Sequence, residues 1–168
     1  GGSALDVAKG VGLLAYGATL ESLLAPGEHP GLPLVAVPTT AGTGAETNGF
    51  AVLVDPETHA KVYLGAASVR PRVAILDPEL TLGLPPLPTA ATGMDALTHG
   101  IESLASRGSH PLSEAYAMRA VTLVGGALEH AVVDGSDLAA RGRLMFGAHL
   151  AGLALTLSGL GLVHGIAH

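Results

Sequence analysis

Two pairs of residues spaced four apart carry the clearest chemical signal in this chain. Asp95-Ala96-Leu97-Thr98-His99 sets a carboxylate and an imidazole at i and i+4, about 6 Å apart along a helix axis, so that both point at one place. An oxygen and a nitrogen donor so placed suit a divalent cation. His164-Gly165-Ile166-Ala167-His168 repeats the spacing with two imidazoles, an arrangement that more often faces a metal or a substrate cleft than the packed core. Spacing alone makes Asp95, His99, His164 and His168 a four-ligand set. A plainer reading stands beside it: Thr92-Gly93-Met94-Asp95 also fits a capping box, with His99 a surface partner of Asp95. His29, His59, His110, His130 and His149 have no paired pattern and read as surface or packing residues.

Two other segments suit an anion. Gly1-Gly2-Ser3 opens a helical pattern; glycines let a ligand approach the backbone, and free N–H groups at a helix start attract phosphate. Its plain reading is a glycine turn with a Ser cap. Pro38-Thr39-Thr40-Ala41-Gly42-Thr43-Gly44-Ala45-Glu46 follows an apolar strand-like run, which is where ligands of open α/β sheets collect. Its three hydroxyls read as a second wall for a polyphosphate or ribose, or else as the caps of an ordinary strand-to-helix loop.

The elements that must position these groups differ along the chain. Up to Pro88, short β-type runs bounded by Pro, Gly or Asp alternate with helical stretches: Leu34–Val37, Ala51–Val54 and Val73–Leu76. The first and third read as fully buried strands. The first helix is expected to start at Ser3, where Ser3-Ala4-Leu5-Asp6 has capping-box spacing, and to run to about Tyr16. After Leu84-Pro85-Pro86-Leu87-Pro88 the strand signals stop, and helices are expected over Ala90–Ser106, Pro111–Val133 and Leu138 to the end. Gly125-Gly126 is a point where the second bends or breaks. The expected organisation is therefore an α/β part over 1–88 and an all-helical part over 89–168.

Composition bounds what such a chain can do. Its 168 residues are 48% hydrophobic and 13% charged, too apolar for a disordered tail and enough for one fair-sized domain or two small ones. The net charge of −6 and scattered basic residues give no electrostatic reason to hold nucleic acid. With 3% aromatics against 24 Gly, binding falls to backbone amides, small hydroxyls and histidines rather than ring stacking. The absence of Cys excludes disulfides and thiolate metal sites and fits a reducing cytoplasm. No charge occurs from Leu144 to Val163, a membrane-span length of about 20 residues. Its glycines, His149, Thr156 and Ser158 suit close helix packing instead. The chain opens without an initiator Met or a basic leader and stops directly after a helical pattern; both ends read as cut from a longer protein.

Read in order, five motifs resemble one family. They are Gly1-Gly2-Ser3-Ala4-Leu5-Asp6-Val7-Ala8-Lys9, Pro38 to Glu46, Leu76-Asp77-Pro78-Glu79-Leu80, Thr92-Gly93-Met94-Asp95-Ala96-Leu97-Thr98-His99-Gly100-Ile101-Glu102, and Gly161-Leu162-Val163-His164-Gly165-Ile166-Ala167-His168. Together they look like the iron-containing alcohol dehydrogenases, and they span the chain. The related glycerol dehydrogenases and dehydroquinate synthases share the architecture, but the Asp95/His99 pair and the Thr-rich loop are closer to the alcohol dehydrogenases.

The resemblance implies a Rossmann-like nucleotide-binding part followed by an all-helical part, with the site in the cleft between them. It implies Fe2+, or Zn2+ or another divalent metal, together with NAD or NADP. It also implies a small alcohol or aldehyde substrate and, for the intact protein, a cytoplasmic homo-oligomer. By motif position Gly1, Gly2 and Ser3 contact the pyrophosphate, Thr39, Thr40 and Thr43 the cofactor near its phosphates and nicotinamide, and Lys61 the ribose. Asp95, His99 and His164 fall on three of four metal ligands. His168 falls on a histidine near the nicotinamide that is not a ligand, against the spacing argument, and is taken as the catalytic proton-handling group. The sequence departs from the family in lacking the segments before Gly1 and after His168, with the fourth ligand, and in placing Asn48 where a Thr is common. Two competing readings are a fragment that turns nothing over and a dehydroquinate-synthase-like lyase. The lyase would need several basic residues for an anionic substrate, whereas the helical half offers only Arg107, Arg119, Arg141 and Arg143.

Overall fold

The computed structural model describes residues 1–24 and 28–167. Helix α1 (Gly2–Leu14) and the short α2 (Leu20–Leu24) precede four strands, β1 (Val35–Ala36), β2 (Phe50–Val54), β3 (Lys61–Gly65) and β4 (Val73–Ala74). Helices α3 (Pro86–Ala105), α4 (Pro111–Gly125), α5 (Leu128–Val133), α6 (Leu138–Ser158) and α7 (Leu162–Ala167) follow. Among the described residues, strands are confined to 35–74 and no strand interrupts the helices from 86 onward. This is the α/β-then-all-helical order expected from the change of rhythm at the prolines.

Strands β1 and β4 pair in parallel, Val35 opposite Val73 and Ala36 opposite Ala74, while β2 and β3 form an antiparallel hairpin from Phe50 opposite Gly65 to Val54 opposite Lys61. Strand β3 was not among the expected runs. The expectation that the first and third runs are fully buried is overturned: Val35 is 62% and Val73 50% exposed. Burial is a tertiary property, and within the described residues these two strands pair only with each other.

Helix α1 begins at Gly2 with Gly1 at its N-cap and no side-chain cap, which corrects the Ser3 capping box. Asp6 is engaged elsewhere: Lys9 Nζ donates to Oδ1 (3.2 Å) and the Val52 amide to Oδ2 (3.1 Å). Helix α3 starts four residues before the expected Ala90 because Pro86 and Pro88 fit a first turn, where no intrahelical N–H is needed. That places Thr92 inside the helix, its Oγ1 donating to Pro88 O (2.9 Å), so Asp95 is mid-helix and the alternative capping box is absent.

The second expected helix breaks at Gly126, as Gly125-Gly126 suggested, and restarts as α5. The third, expected to run to the end, stops at Ser158: Gly159 adopts φ +75°, ψ −177°, a region open essentially only to glycine, and α7 begins at Leu162 as a separate helix.

Small residues let α3, α4, α5 and α6 approach closely. Ala96, Val124, Ala127, Ala131, Ala140 and Leu144 form the main core cluster, and Leu13, Leu23, Leu64 and Val69 a second one under α1 and the hairpin. The uncharged run lies largely in the buried face of α6, with Gly147, Ala148, Ala151 and Gly152 against its neighbours. Among the described residues no helix is long and apolar enough to cross a membrane. Arg141 is buried and binds Gly135 O, Thr89 Oγ1 and Leu84 O at 2.8–3.0 Å, fixing the proline bend to α6. Burial lowers its pKa from the ordinary guanidinium value.

Candidate functional site

One turn of α3 separates Asp95 from His99, and after the glycine break that ends α6, α7 brings His164 beside them. His99 Nε2 lies 3.5 Å and His164 Nε2 3.3 Å from the same atom, Asp95 Oδ1. The two imidazoles stack with centroids 4.5 Å apart. One donor atom from each of the three residues lies within 4.8 Å of the others. Donors bound at about 2.1 Å with tetrahedral angles sit roughly 3.4 Å from one another, so the two separations on Asp95, which in the structure are ion-pair contacts, also fit residues that share an ion.

The imidazoles are sunk while the carboxylate is reachable: side-chain exposure is 6% for His99, 10% for His164 and 36% for Asp95. Burial lowers the His99 pKa below the ordinary imidazole value, a shift that Asp95 opposes and His164 reinforces. Burial thus favours the neutral ring, the form in which a ring nitrogen donates its lone pair. Its Nδ1 is buried near the Gly42 backbone without a hydrogen bond of good geometry among the described residues.

A cleft of about 340 Å³ is lined both by Gly2, Ser3 and Thr43 around the start of α1 and by Asp95, His99 and His164. The glycine opening and the Thr-rich loop, far apart in sequence, are in contact. The Gly1 nitrogen donates to Thr39 Oγ1 (2.9 Å), and a Cβ on Gly2 would meet Thr43 Oγ1 at 2.6 Å. Thr40 packs on Gly1; neither Thr39 nor Thr40 lines the cleft as Thr43 does. The loop is seated on the helical part at Gly44, whose φ of +62° and whose missing Cβ, 2.7 Å from Gly152 Cα, both require glycine. Lys61 projects from the start of β3 into the cleft, and its Nζ donates to Ala167 O at the end of α7 (3.0 Å). His168 lies outside the described residues.

Two family models decide the relationship: iron-containing alcohol dehydrogenase over residues 1–78, and the C-terminal part of the Fe-containing alcohol dehydrogenase family over 89–168. The chain belongs to the iron-containing alcohol dehydrogenase family. It is 46% identical over its whole length to the probable alcohol dehydrogenase EutG of Salmonella typhimurium, covering 43% of that protein. It is 42% identical to the NAD-dependent methanol dehydrogenase of Bacillus methanolicus, covering 45% of it. Among solved structures, the alcohol dehydrogenase from Oenococcus oeni superposes on the whole chain with a TM-score of 0.94 at 38% identity, over 45% of its own chain. The sulfoacetaldehyde reductase from Bifidobacterium kashiwanohense in complex with NAD+ does so over 95% of this chain and 44% of its own, with a TM-score of 0.89 at 36% identity. The chain thus spans under half the length of these relatives.

Several groups in this member of the iron-containing alcohol dehydrogenase family escaped the sequence reading. Lys9 is fully buried under α1, where its Nζ donates to Asn48 Oδ1 (3.0 Å) and Phe50 O (2.7 Å) as well as to Asp6. Burial lowers its pKa from the ordinary ammonium value, a shift opposed by Asp6 and Glu46. Asn48, at the position where a Thr is common, is held in that network and also donates to Gly44 O (3.2 Å). His149 is no simple packing residue: its Nδ1 lies 3.0 Å from Oε1 of the buried Glu46. Glu102 is buried against His164. Its position three residues after His99 and seven after Asp95 puts it on their helix face, a signal present in the sequence.

Proposed function

We propose that the protein is a nicotinamide-dependent alcohol dehydrogenase that uses a divalent metal, with parts 1–88 and 89–168 supplying the nucleotide and metal halves of one site. A single observation carries this reading: a carboxylate and two imidazoles whose donor atoms lie within 4.8 Å of one another line the same cleft as a helix N-terminus. Asp95, His99 and His164 would hold the ion, iron by family relationship; the nitrogen and oxygen donors themselves equally accept zinc, cobalt or nickel. The Gly2 and Ser3 amides at the start of α1 would receive the cofactor's pyrophosphate, where the helix dipole favours negative charge. Thr43 would offer the cofactor a hydroxyl from the cleft wall, Thr39 and Thr40 theirs from beside Gly1 outside that lining, and Lys61 a cation to its ribose side. When bound, the ion and the nicotinamide supply the electrophile and the hydride acceptor that interconversion of an alcohol and an aldehyde needs.

The rest falls to the chain itself. Leu155 and Leu160 line the same cleft, and their apolar side chains would help to keep water from the reacting atoms. His168 is proposed as the group that passes the hydroxyl proton to solvent, a task suited to an uncoordinated imidazole near neutral pH. The names of relatives that act on methanol, 1,3-propanediol and lactaldehyde support a small substrate, and the relatives named NAD-dependent or solved with NAD+ favour NAD.

The test is metal analysis and turnover of the full-length protein with short primary alcohols and either cofactor. Expected are about one ion per subunit, reduced nicotinamide formed from one cofactor, and loss of both on chelation. Absence of a stoichiometric ion, or turnover indifferent to chelator, overturns the reading. His168→Ala is expected to lower turnover while metal content stays near one per subunit; loss of the ion instead would make His168 a ligand.

A further inference from the structure

Glu102 reaches from α3 to two different features of α7. Its Oε1 accepts from the Val163 amide (2.6 Å) and from the more distant His164 amide (3.4 Å), both in the first turn of α7, where N–H groups have no intrahelical partner. Its Oε2 meets His164 Nδ1. The residue is 6% exposed, and Gly161 leaves it room: a Cβ there would lie 3.0 Å from Oε1. An ionised carboxylate can only accept, so Nδ1 carries a proton, and Nε2 is the ring nitrogen facing Asp95 Oδ1 and the cleft, placed to give its lone pair to an ion held there. We infer that Glu102 is the positioning residue of the metal centre, one carboxylate that both seats the start of α7 and fixes the tautomer and ring orientation of His164. A second carboxylate behind a metal-binding imidazole raises its basicity and holds its aim.

The assignment rests on the metal reading of Asp95, His99 and His164, and the experiment separates the two. The full-length protein and its Glu102→Gln variant, both stripped of metal, are titrated with Co2+, followed by the visible absorption of the bound ion. Glutamine keeps the size of glutamate but has one oxygen, so it cannot accept from the α7 amides and from Nδ1–H together. Expected is a ten- to hundredfold weaker Co2+ affinity in the variant, with a changed absorption envelope of the bound ion. A purely structural role would lower the melting temperature without altering the spectrum of the ion once bound. If the parent takes up no Co2+, the metal reading itself fails. If the parent binds and the variant binds equally tightly with the same spectrum, the metal reading stands and the role of Glu102 is overturned. Should the variant not fold, long-range nitrogen–proton correlations on the Zn2+-loaded parent decide: an Nδ1-protonated His164 supports the assignment and an Nε2-protonated one refutes it.

Discussion

Asp95 Oδ1 is the atom on which both imidazoles converge, at 3.3 and 3.5 Å, so the charge of the site resides there. Asp95→Asn keeps the shape and removes the negative donor. Its metal affinity is expected to fall by more than the ten- to hundredfold characteristic of an outer partner, with little change in the stability of the metal-free protein, because the side chain is 36% exposed; Co2+ titration against a thermal melt checks both. Lys9 belongs to stability instead. Lys9→Met strands Asp6 and the Phe50 carbonyl, and the loss of one member of a buried pair costs roughly 3–5 kcal/mol, reduced here because Asp6 is partly open to solvent; urea unfolding reads it. The pH dependence follows from the lowered Lys9 pKa. Below the folded value both states hold the proton and the burial penalty is present in full. Between the folded value and the ordinary 10.5 the unfolded chain binds more protons, so stability gains with rising pH. The parent should therefore show a more positive slope of stability against pH on the alkaline side than Lys9→Met, and identical slopes would refute the assignment.

Elements turn these residues into a site, and Gly159 is where that happens. An alanine there must leave φ +75°, ψ −177° or bear about 1–3 kcal/mol of strain. Gly159→Ala is expected to melt lower and to bind metal more weakly, since α7 carries His164; a variant that melts lower with unchanged metal affinity would show that the break does not aim α7. This break was poorly legible. Ser158-Gly159-Leu160-Gly161 sits inside an uncharged run, and apolar periodicity cannot tell a buried helix that ends from one that continues. The Asp95/His99 pair was legible because one helix turn fixes it, whereas its meeting with His164 depends on tertiary folding: spacing grouped it with both His164 and His168, and the resemblance singled out His164 as the ligand. Glu102 and Lys9 were readable as helix-face neighbours of the motifs. What each would touch was not, because their partners Val163 and Phe50 lie 61 and 41 positions away. Strand positions were largely found, yet Val35 and Val73 are half exposed or more, because a β-type run specifies a pleat and not what covers it.

At the scale of the molecule, the cleft joins parts held by very different numbers of interactions. Helix α3 lies in the main core through Ala96. Helix α7 has a single buried residue, His164, and is tied down through Glu102, Asp95 and the bond from Lys61 to Ala167 O. An ion shared by Asp95, His99 and His164 would join this loosely held helix to the best-packed one, and binding to the folded state alone stabilises it by mass action. At an ion concentration a hundred times Kd the gain is about 2.7 kcal/mol, which for a folded unit of 150–250 residues raises Tm by roughly 5–10 °C. Chelation should reverse that rise. It should also speed amide exchange in Val163–Ala167 while the amides around Ala96 keep their protection, because local opening follows the elements with fewest buried contacts. Equal acceleration in α3 and α7 would mean that the ion supports the whole fold and not the seating of α7. A melting temperature indifferent to chelator would remove the ion from the folded state altogether.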